Sequence, residues 1–283
     1  MSIAEGDTSR ARPSEAFTVS QKPNLNQRLR ATPSPHSVPR SLPVLFFGDP
    51  DRAITATVGI NPSYREFARH AGRSDGARLI ELDGSNVRRF ETLTSLGAAG
   101  RDTLSDLQCE RAIETMRHYF DPGRPTFGQW FGHMNNVLDG MGISYATGMA
   151  VHLDLVQEAT FPTWSELGRT WPAEAAALWA TDTEFFRWQV AALPATALLC
   201  NGRGVYVEVS RILGAMQVAE SRLGRLTWWA SISRQRAKAV WVMGWNLPLV
   251  RPTGLGRRGE HELGAALSQF LRERGDSQPA SRE

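Results

Sequence analysis

The 283-residue chain has little cysteine, less lysine than arginine by a wide margin, and no long apolar run. Cysteine occurs only as Cys109 and Cys200. That excludes a disulfide framework and a four-cysteine iron–sulfur cluster. Cys200 lies in an apolar run and is expected to pack as a small hydrophobe. No stretch reaches the length of a membrane span, so no membrane partner is expected. The N-terminus carries no apolar signal-type core, which makes the cytoplasm the expected compartment. No His, Cys, Asp and Glu spacing rises above chance as a metal site, and no nucleophile-elbow serine motif occurs. Neither a metal nor another cofactor is expected.

What is present is a basic chain whose positive charge is carried by arginine. The net charge is +3 and the isoelectric point about 9.2. The planar guanidinium fork suits phosphates and base edges, so a nucleic-acid partner is permitted but not required.

Residues 1–40 are rich in Pro, Ser, Arg and Thr without periodicity, and are predicted to be a disordered basic tail. Residues 41–274 are expected to form a single domain, and 275–283 a frayed end. Val44–Phe47 has the composition of a short strand, followed by a turn and a second strand from Ile54 to Ile60. These two are expected to pair as a hairpin. Residues 68–100 are polar and Gly-rich. Helical spacing then places Leu107, Ile113, Met116 and Phe120 on one face, and Phe127, Trp130, Phe131, Met134, Val137 and Leu138 on another. Strand regions at 143–156, 195–200 and 239–244 alternate with helices over 173–190, from Val205 to Met216, and around Leu263, Leu267, Phe270 and Leu271. A further short strand is expected at Leu226–Trp229. This order predicts an α/β fold, a three-layer α/β/α sandwich around a central, mostly parallel four-stranded sheet.

In such a sheet the ligand site lies beyond the carboxyl ends of the strands. The loops after Ile60, Leu155, Cys200 and Gly244 gather there. The richest is Gly59-Ile60-Asn61-Pro62-Ser63-Tyr64-Arg65-Glu66-Phe67. Gly59 permits close backbone approach, Pro62 ends the ladder, and Asn61 stands at the strand's edge. Ser63 and Glu66 are expected to cap the helix that follows. His152 and Asp154 are two apart on a strand and share a face. Gly254-Leu255-Gly256-Arg257-Arg258-Gly259 matches the dinucleotide fingerprint, but it lies too far past its strand to serve as one.

Gly59-Ile60-Asn61-Pro62 resembles the first active-site motif of the uracil-DNA glycosylase superfamily, in the mismatch-specific thymine/uracil style. Asn246-Leu247-Pro248-Leu249-Val250-Arg251 is similar to the second motif in position and in its Asn and Pro, though not in order, and it lacks a His. The resemblance covers residues 43–272 by layout and these two motifs by residue. It implies a monofunctional DNA glycosylase that needs no cofactor and acts, as a monomer, on double- or single-stranded DNA.

Under that resemblance Asn61 orients the attacking water, and Asp49, Asp51 or Glu66 stabilises positive charge on the sugar. Gly59, Ile60, Pro62, Ser63, Tyr64 and Phe67 border the base, with Phe67 or Phe90 as the stacking ring. Ser63 stands where uracil-specific enzymes carry a Tyr, which implies room for a 5-substituent. Asp154, beside His152, is an acceptor suited to the N4 amino group of cytosine. A modified cytosine is therefore expected as substrate beside uracil or thymine, in antiviral defence or base-excision repair. Asn246 joins the base site, Leu247 or Leu249 is the wedge, and Arg251, Arg257 and Arg258 contact phosphates. No Lys lies in either motif, so no lyase step is expected. Two other classes remain open: a non-catalytic DNA-binding module, and an α/β hydrolase of free nucleosides or nucleotides.

Overall fold

The computed structural model describes residues 22–70, 79–82, 88–124, 128–235, 238–249 and 255–275. In chain order the elements are α1 (Lys22–Arg30), β1 (Thr55–Gly59), β2 (Ala68–His70), β3 (Leu79–Glu81), α2 (Asp106–Arg117), α3 (Gly128–Gly140), β4 (Ala150–Asp154), α4 (Trp164–Thr170), α5 (Pro172–Ala192), β5 (Ala197–Cys200), α6 (Arg203–Leu213), β6 (Met216–Leu223), β7 (Leu226–Gln235), β8 (Lys238–Trp245) and α7 (Gly256–Gly275). The fold is α/β with a mostly parallel central sheet in the order β4-β1-β5-β8-β7-β6; β2 and β3 form a separate antiparallel pair.

The sheet has six strands rather than the expected four. The four parallel ones are the four apolar runs of the sequence, and β1, β4 and β5 are buried along their whole length. Strands covered on both faces have to be apolar on both, which is why they stand out. The other two extend the sheet antiparallel beyond β8. Strand β7 includes the expected Leu226–Trp229 strand, whereas β6 is almost wholly exposed. A strand with no buried face has no apolar period to detect. Met216, expected on the helix face of α6, is instead the first residue of β6 and exposed. Gly214, left-handed at φ 60°, ends that helix.

Two further expectations are corrected. Val44–Phe47 does not form a hairpin with β1. It runs beside β4 on the other edge, with reciprocal bonds between the Phe47 and His152 backbones at 2.9 and 3.0 Å. Residues 22–40 are not a disordered tail. Helix α1 buries Leu25 and Leu29, and the segment after it pairs with 157–161: Val38 N–H donates to the Ala159 carbonyl at 2.8 Å, and Phe161 N–H to that of His36 at 2.9 Å. Residues 1–21 lie outside the described residues.

Helix α3 is clamped to α7 at two glycines. A side chain on Gly140 would meet the His261 carbonyl at 2.1 Å, and one on Gly264 the Val137 carbonyl at 1.9 Å. Glu260 on α7 locks the pair, binding His133 Nδ1 and Asn136 Nδ2 at 2.7 Å each. This clamp fixes the two aromatic residues that α3 carries to the site. Among the described residues no helix is long and apolar enough to cross a membrane.

Candidate active site at the carboxyl ends of β1 and β4

Strands β1 and β4 pair in register from Thr55–Ala150 to Gly59–Asp154. The pairing continues past both ends, with Val156 N–H on the Ile60 carbonyl at 2.8 Å. Beyond it opens a cavity of about 100 Å³ lined by Phe47, Gly59, Ile60, Asn61, Pro62, Ser63, Glu66, Trp130, Phe131, His152 and Asp154. Eight residues singled out in the sequence thus meet: the run Gly59 to Ser63, Glu66, His152 and Asp154.

Gly59 is required by that meeting. A Cβ there would lie 2.5 Å from Asp154 Oδ1 and 3.2 Å from the His152 ring. Gly59→Ala is therefore expected to lower stability by roughly 1–3 kcal/mol, the usual cost of overpacking a closed core. Urea unfolding checks this, and an unchanged midpoint would contradict the contact.

Asn61 is held at its amino end. Its Nδ2 donates to the Glu158 carbonyl at 3.3 Å and to Thr160 Oγ1 at 3.2 Å. The carbonyl oxygen Oδ1 has no partner among the described residues and is left to accept. The loop supplying both anchors is held from several sides. Asp182 on α5 accepts from Gln157 N–H at 2.8 Å. The Glu158 carboxylate takes Arg101 in a two-pronged pair at 2.6 and 2.9 Å, Ser37 at 2.8 Å and Arg28 at 3.4 Å. Arg28 also reaches Asp182 at 2.6 Å. Burial pushes Glu158 up, but the bonds and charges of Arg101 and Arg28, with Ser37, outweigh it and hold the carboxyl below its usual range. Burial raises Asp182 to about 6, against the pull of Arg28.

Beneath the cavity runs a buried chain of polar groups. The Tyr145 hydroxyl lies 2.6 Å from Thr57 Oγ1, which lies 2.9 Å from His152 Nδ1; His152 Nε2 lies 3.3 Å from Asp154 Oδ1. One assignment satisfies every member: Tyr145 donates to Thr57, Thr57 to His152, and His152 to Asp154. This tautomer follows from the network. The ring is packed by Trp130 at 4.3 Å, Phe47 at 5.1 Å and Phe131 at 5.3 Å.

Glu66 is buried at the cavity floor and receives the Tyr119 hydroxyl at 3.0 and 3.1 Å. Its carboxyl is raised to about 7, chiefly by burial; the Arg89 charge and the Tyr119 bond pull it down, and Asp154 adds a small push upward. Being buried, it does not cap a helix. Ser63 does, accepting from Arg65 N–H at 3.3 Å at the start of a single 3₁₀ turn.

Other expected residues fall elsewhere. Asp49 and Asp51 pair with Arg117 at 3.0 and 2.6 Å, and Asp49 borders a different cavity near the start of β4. Phe67 and Phe90 are core residues, stacked on each other at 5.6 Å. Trp130, Phe131 and Phe47 offer the aromatic surface instead. On α3, Trp130 and Phe131 looked like part of a core stripe, and no sequence signal set them apart. Tyr64 packs edge-on against Phe161 at 5.4 Å and does not line the cavity. The space beside Ser63 therefore stays clear of it.

Asn246 turns away, its Oδ1 accepting from Thr227 N–H at 3.2 Å. Leu247 is exposed, as a wedge must be. Leu249 is not available as a wedge: it is buried, and its N–H donates to Asn201 Oδ1 at 2.9 Å. Arg257 and Arg258 are exposed on the first turn of α7, Arg258 pairing with Glu262 at 2.8 Å. Arg251 lies outside the described residues. Lys238 is at the far edge of the sheet, donating to the carbonyls of Leu193 and Ala195. Among the described residues no group of three or more His, Cys, Asp or Glu could hold a metal ion. No protein-family model matches the chain, and no curated protein matches it in sequence.

Proposed function

We propose that this chain is a monofunctional DNA glycosylase of the uracil-DNA glycosylase type, built as a three-layer α/β/α sandwich and acting in the cytoplasm. The observation that carries the reading is Asn61, anchored through its amino group and left with one acceptor oxygen beside an aromatic-lined cavity that also holds Asp154 and Glu66. A flipped pyrimidine enters the cavity that Trp130, Phe131 and Phe47 line. Asn61 Oδ1 accepts from a water and aims its oxygen at the anomeric carbon. The new C–O bond forms as the N-glycosidic bond breaks; that bond's electron pair leaves with the base, and the proton shed by the attacking water passes to the departing base through solvent. Ionised Glu66 stabilises the oxocarbenium-like sugar. Asp154, held by His152, accepts from the exocyclic amino group of a cytosine, and the clear space beside Ser63 takes its 5-substituent.

Base release from oligonucleotides tests this. The panel is uracil, thymine opposite guanine, 5-hydroxymethylcytosine and its glucosylated form, with product read as abasic sites cleaved by alkali. Release of a 5-modified cytosine is expected. If DNA is bound but no base leaves, the chain is a binding module. If only free nucleosides or nucleotides are cleaved, it is a small-molecule hydrolase.

Glu66 gives this chemistry a pH signature. Its folded value of about 7 stands above the ordinary 4.5. The folded protein thus holds a proton that the unfolded chain has lost, and stability falls as pH rises between those values. Above about pH 7 the ionised carboxylate costs roughly 3 kcal/mol. The same ionisation switches the site on. Base release by the wild type should rise about tenfold per pH unit below 7 and level off above it. Glu66→Gln should be slow and flat across that range, yet melt higher than the wild type at pH 8. A wild-type profile with no inflection near 7 would remove Glu66 from the mechanism.

A further inference from the structure

Asn246, singled out in the sequence, belongs to a second cavity. This one measures about 470 Å³ and is lined by Arg203, Tyr206, Val207, Gln217, Glu220, Thr227, Trp229 and Asn246. We propose that it is a subsite for a neighbouring, unpaired nucleotide of the same DNA strand, its base on Trp229 and its phosphate on Arg203. This rests on the DNA-glycosylase reading.

The position fits. Asn246 follows β8 and Arg203 opens the helix after β5, so both stand at the same sheet edge as Asn61. The base platform Trp229 is on β7, three ordinary strand spacings or about 14 Å from β1. It lies on the opposite sheet face from Gly59 and Asp154, so the DNA strand passes over the carboxyl edge of the sheet. A few nucleotides of an extended strand cover that distance.

The chemistry fits as well. The Trp229 ring is half-buried and stacks with Tyr206 at 5.5 Å and 20°, while the Arg203 guanidinium lies 5.9 Å from its centroid. The platform is built in: Gly244 lacks a side chain where a Cβ would come 2.5 Å from Tyr206 Cβ, which lets α6 close on the sheet. Around it stand hydrogen-bonding groups of both kinds. Asn246 Oδ1 is taken by Thr227 N–H, which leaves its amino group to donate; the Glu220 carboxylate, bonded to Trp229 Nε1 at 3.0 Å, can accept. An aromatic face with a guanidinium beside it is how proteins hold unpaired bases with little regard to sequence. Leu247, exposed and next in sequence to Asn246, is placed to keep the strand open.

The test is fluorescence anisotropy with a fluorescein-labelled oligothymidylate, single-stranded and annealed to its complement. Base release is measured on the same preparations. Arg203 is exposed and Trp229→Phe keeps a ring, so Arg203→Ala and Trp229→Phe should both fold. Trp229→Ala is accepted only if its melting temperature is near that of the wild type. Trp229→Ala and Arg203→Ala should each weaken single-strand binding roughly tenfold, with a smaller loss on the duplex and little loss for Trp229→Phe. Unchanged affinity in both Trp229→Ala and Arg203→Ala would overturn the subsite while leaving base release standing. Weakened binding in these variants, with a wild type that releases no base, would uphold the subsite and sink the glycosylase reading instead.

Discussion

Asn61→Ala should lose base release by a hundredfold or more while the protein remains folded. The side chain is half-buried at a loop edge, and removing its amide leaves only the Glu158 carbonyl and Thr160 hydroxyl short of one donor. That is a modest cost to stability, about 1 kcal/mol. The cost to catalysis is larger, because a water displaced by about 1 Å from its line of attack can lose a hundredfold. Asn61→Asp discriminates further. A carboxylate supplies the acceptor oxygen but cannot donate to the Glu158 carbonyl, and it would set negative charge against that oxygen. Asp should therefore restore less than about a tenth of the activity. Single-turnover rates on the active lesion would decide. Full activity in Asn61→Asp would mean that the anchor is irrelevant, and full activity in Asn61→Ala would end the water-holding role.

What could be seen in the sequence follows from which interactions are local. The run Gly59 to Ser63 was visible because a buried strand ending at Asn-Pro needs only its own residues to be recognised. His152 and Asp154 were visible because strand alternation alone puts them on one face. The β6–β7 extension was half hidden, since an exposed edge strand has no hydrophobic period. The aromatic lining was hidden for another reason. Phe131 packs in the core and also borders the cavity, so its spacing on α3 carries only the first of those roles. Leu249 and Asn246 show the reverse error. Both sit in a motif-like run, but their directions are set by Asn201 and Thr227, and only the folded backbone brings those partners near.

The N-terminal segment is the clearest case, and it leads to the second large effect. Composition marks residues 22–40 as tail, yet Arg28 is fixed by Glu158 and Asp182, 130 and 154 positions away. Those carboxylates serve the loop that anchors Asn61. Arg101 closes the network, with both itself and Glu158 almost wholly buried. Arg101→Ala strands the Glu158 carboxylate with Ser37 and the more distant Arg28, and should cost about 3–5 kcal/mol, the usual result of breaking one side of a buried pair. The linkage has a definite sign. Glu158 sits below its ordinary value, so its contribution is present above that value and fades as pH falls through the folded one. The wild-type advantage over Arg101→Ala should therefore shrink in acid. Replacing both partners by apolar residues, Arg101→Met with Glu158→Leu, should cost much less than Arg101→Ala alone, because no charge is left unpaired. Urea midpoints for Arg101→Met, Glu158→Leu and the double variant give the coupling. If Arg101→Ala unfolds at the wild-type midpoint, the network is ornamental. If it is destabilised but releases base at the wild-type rate where it is still folded, the network holds the fold together without aiming Asn61.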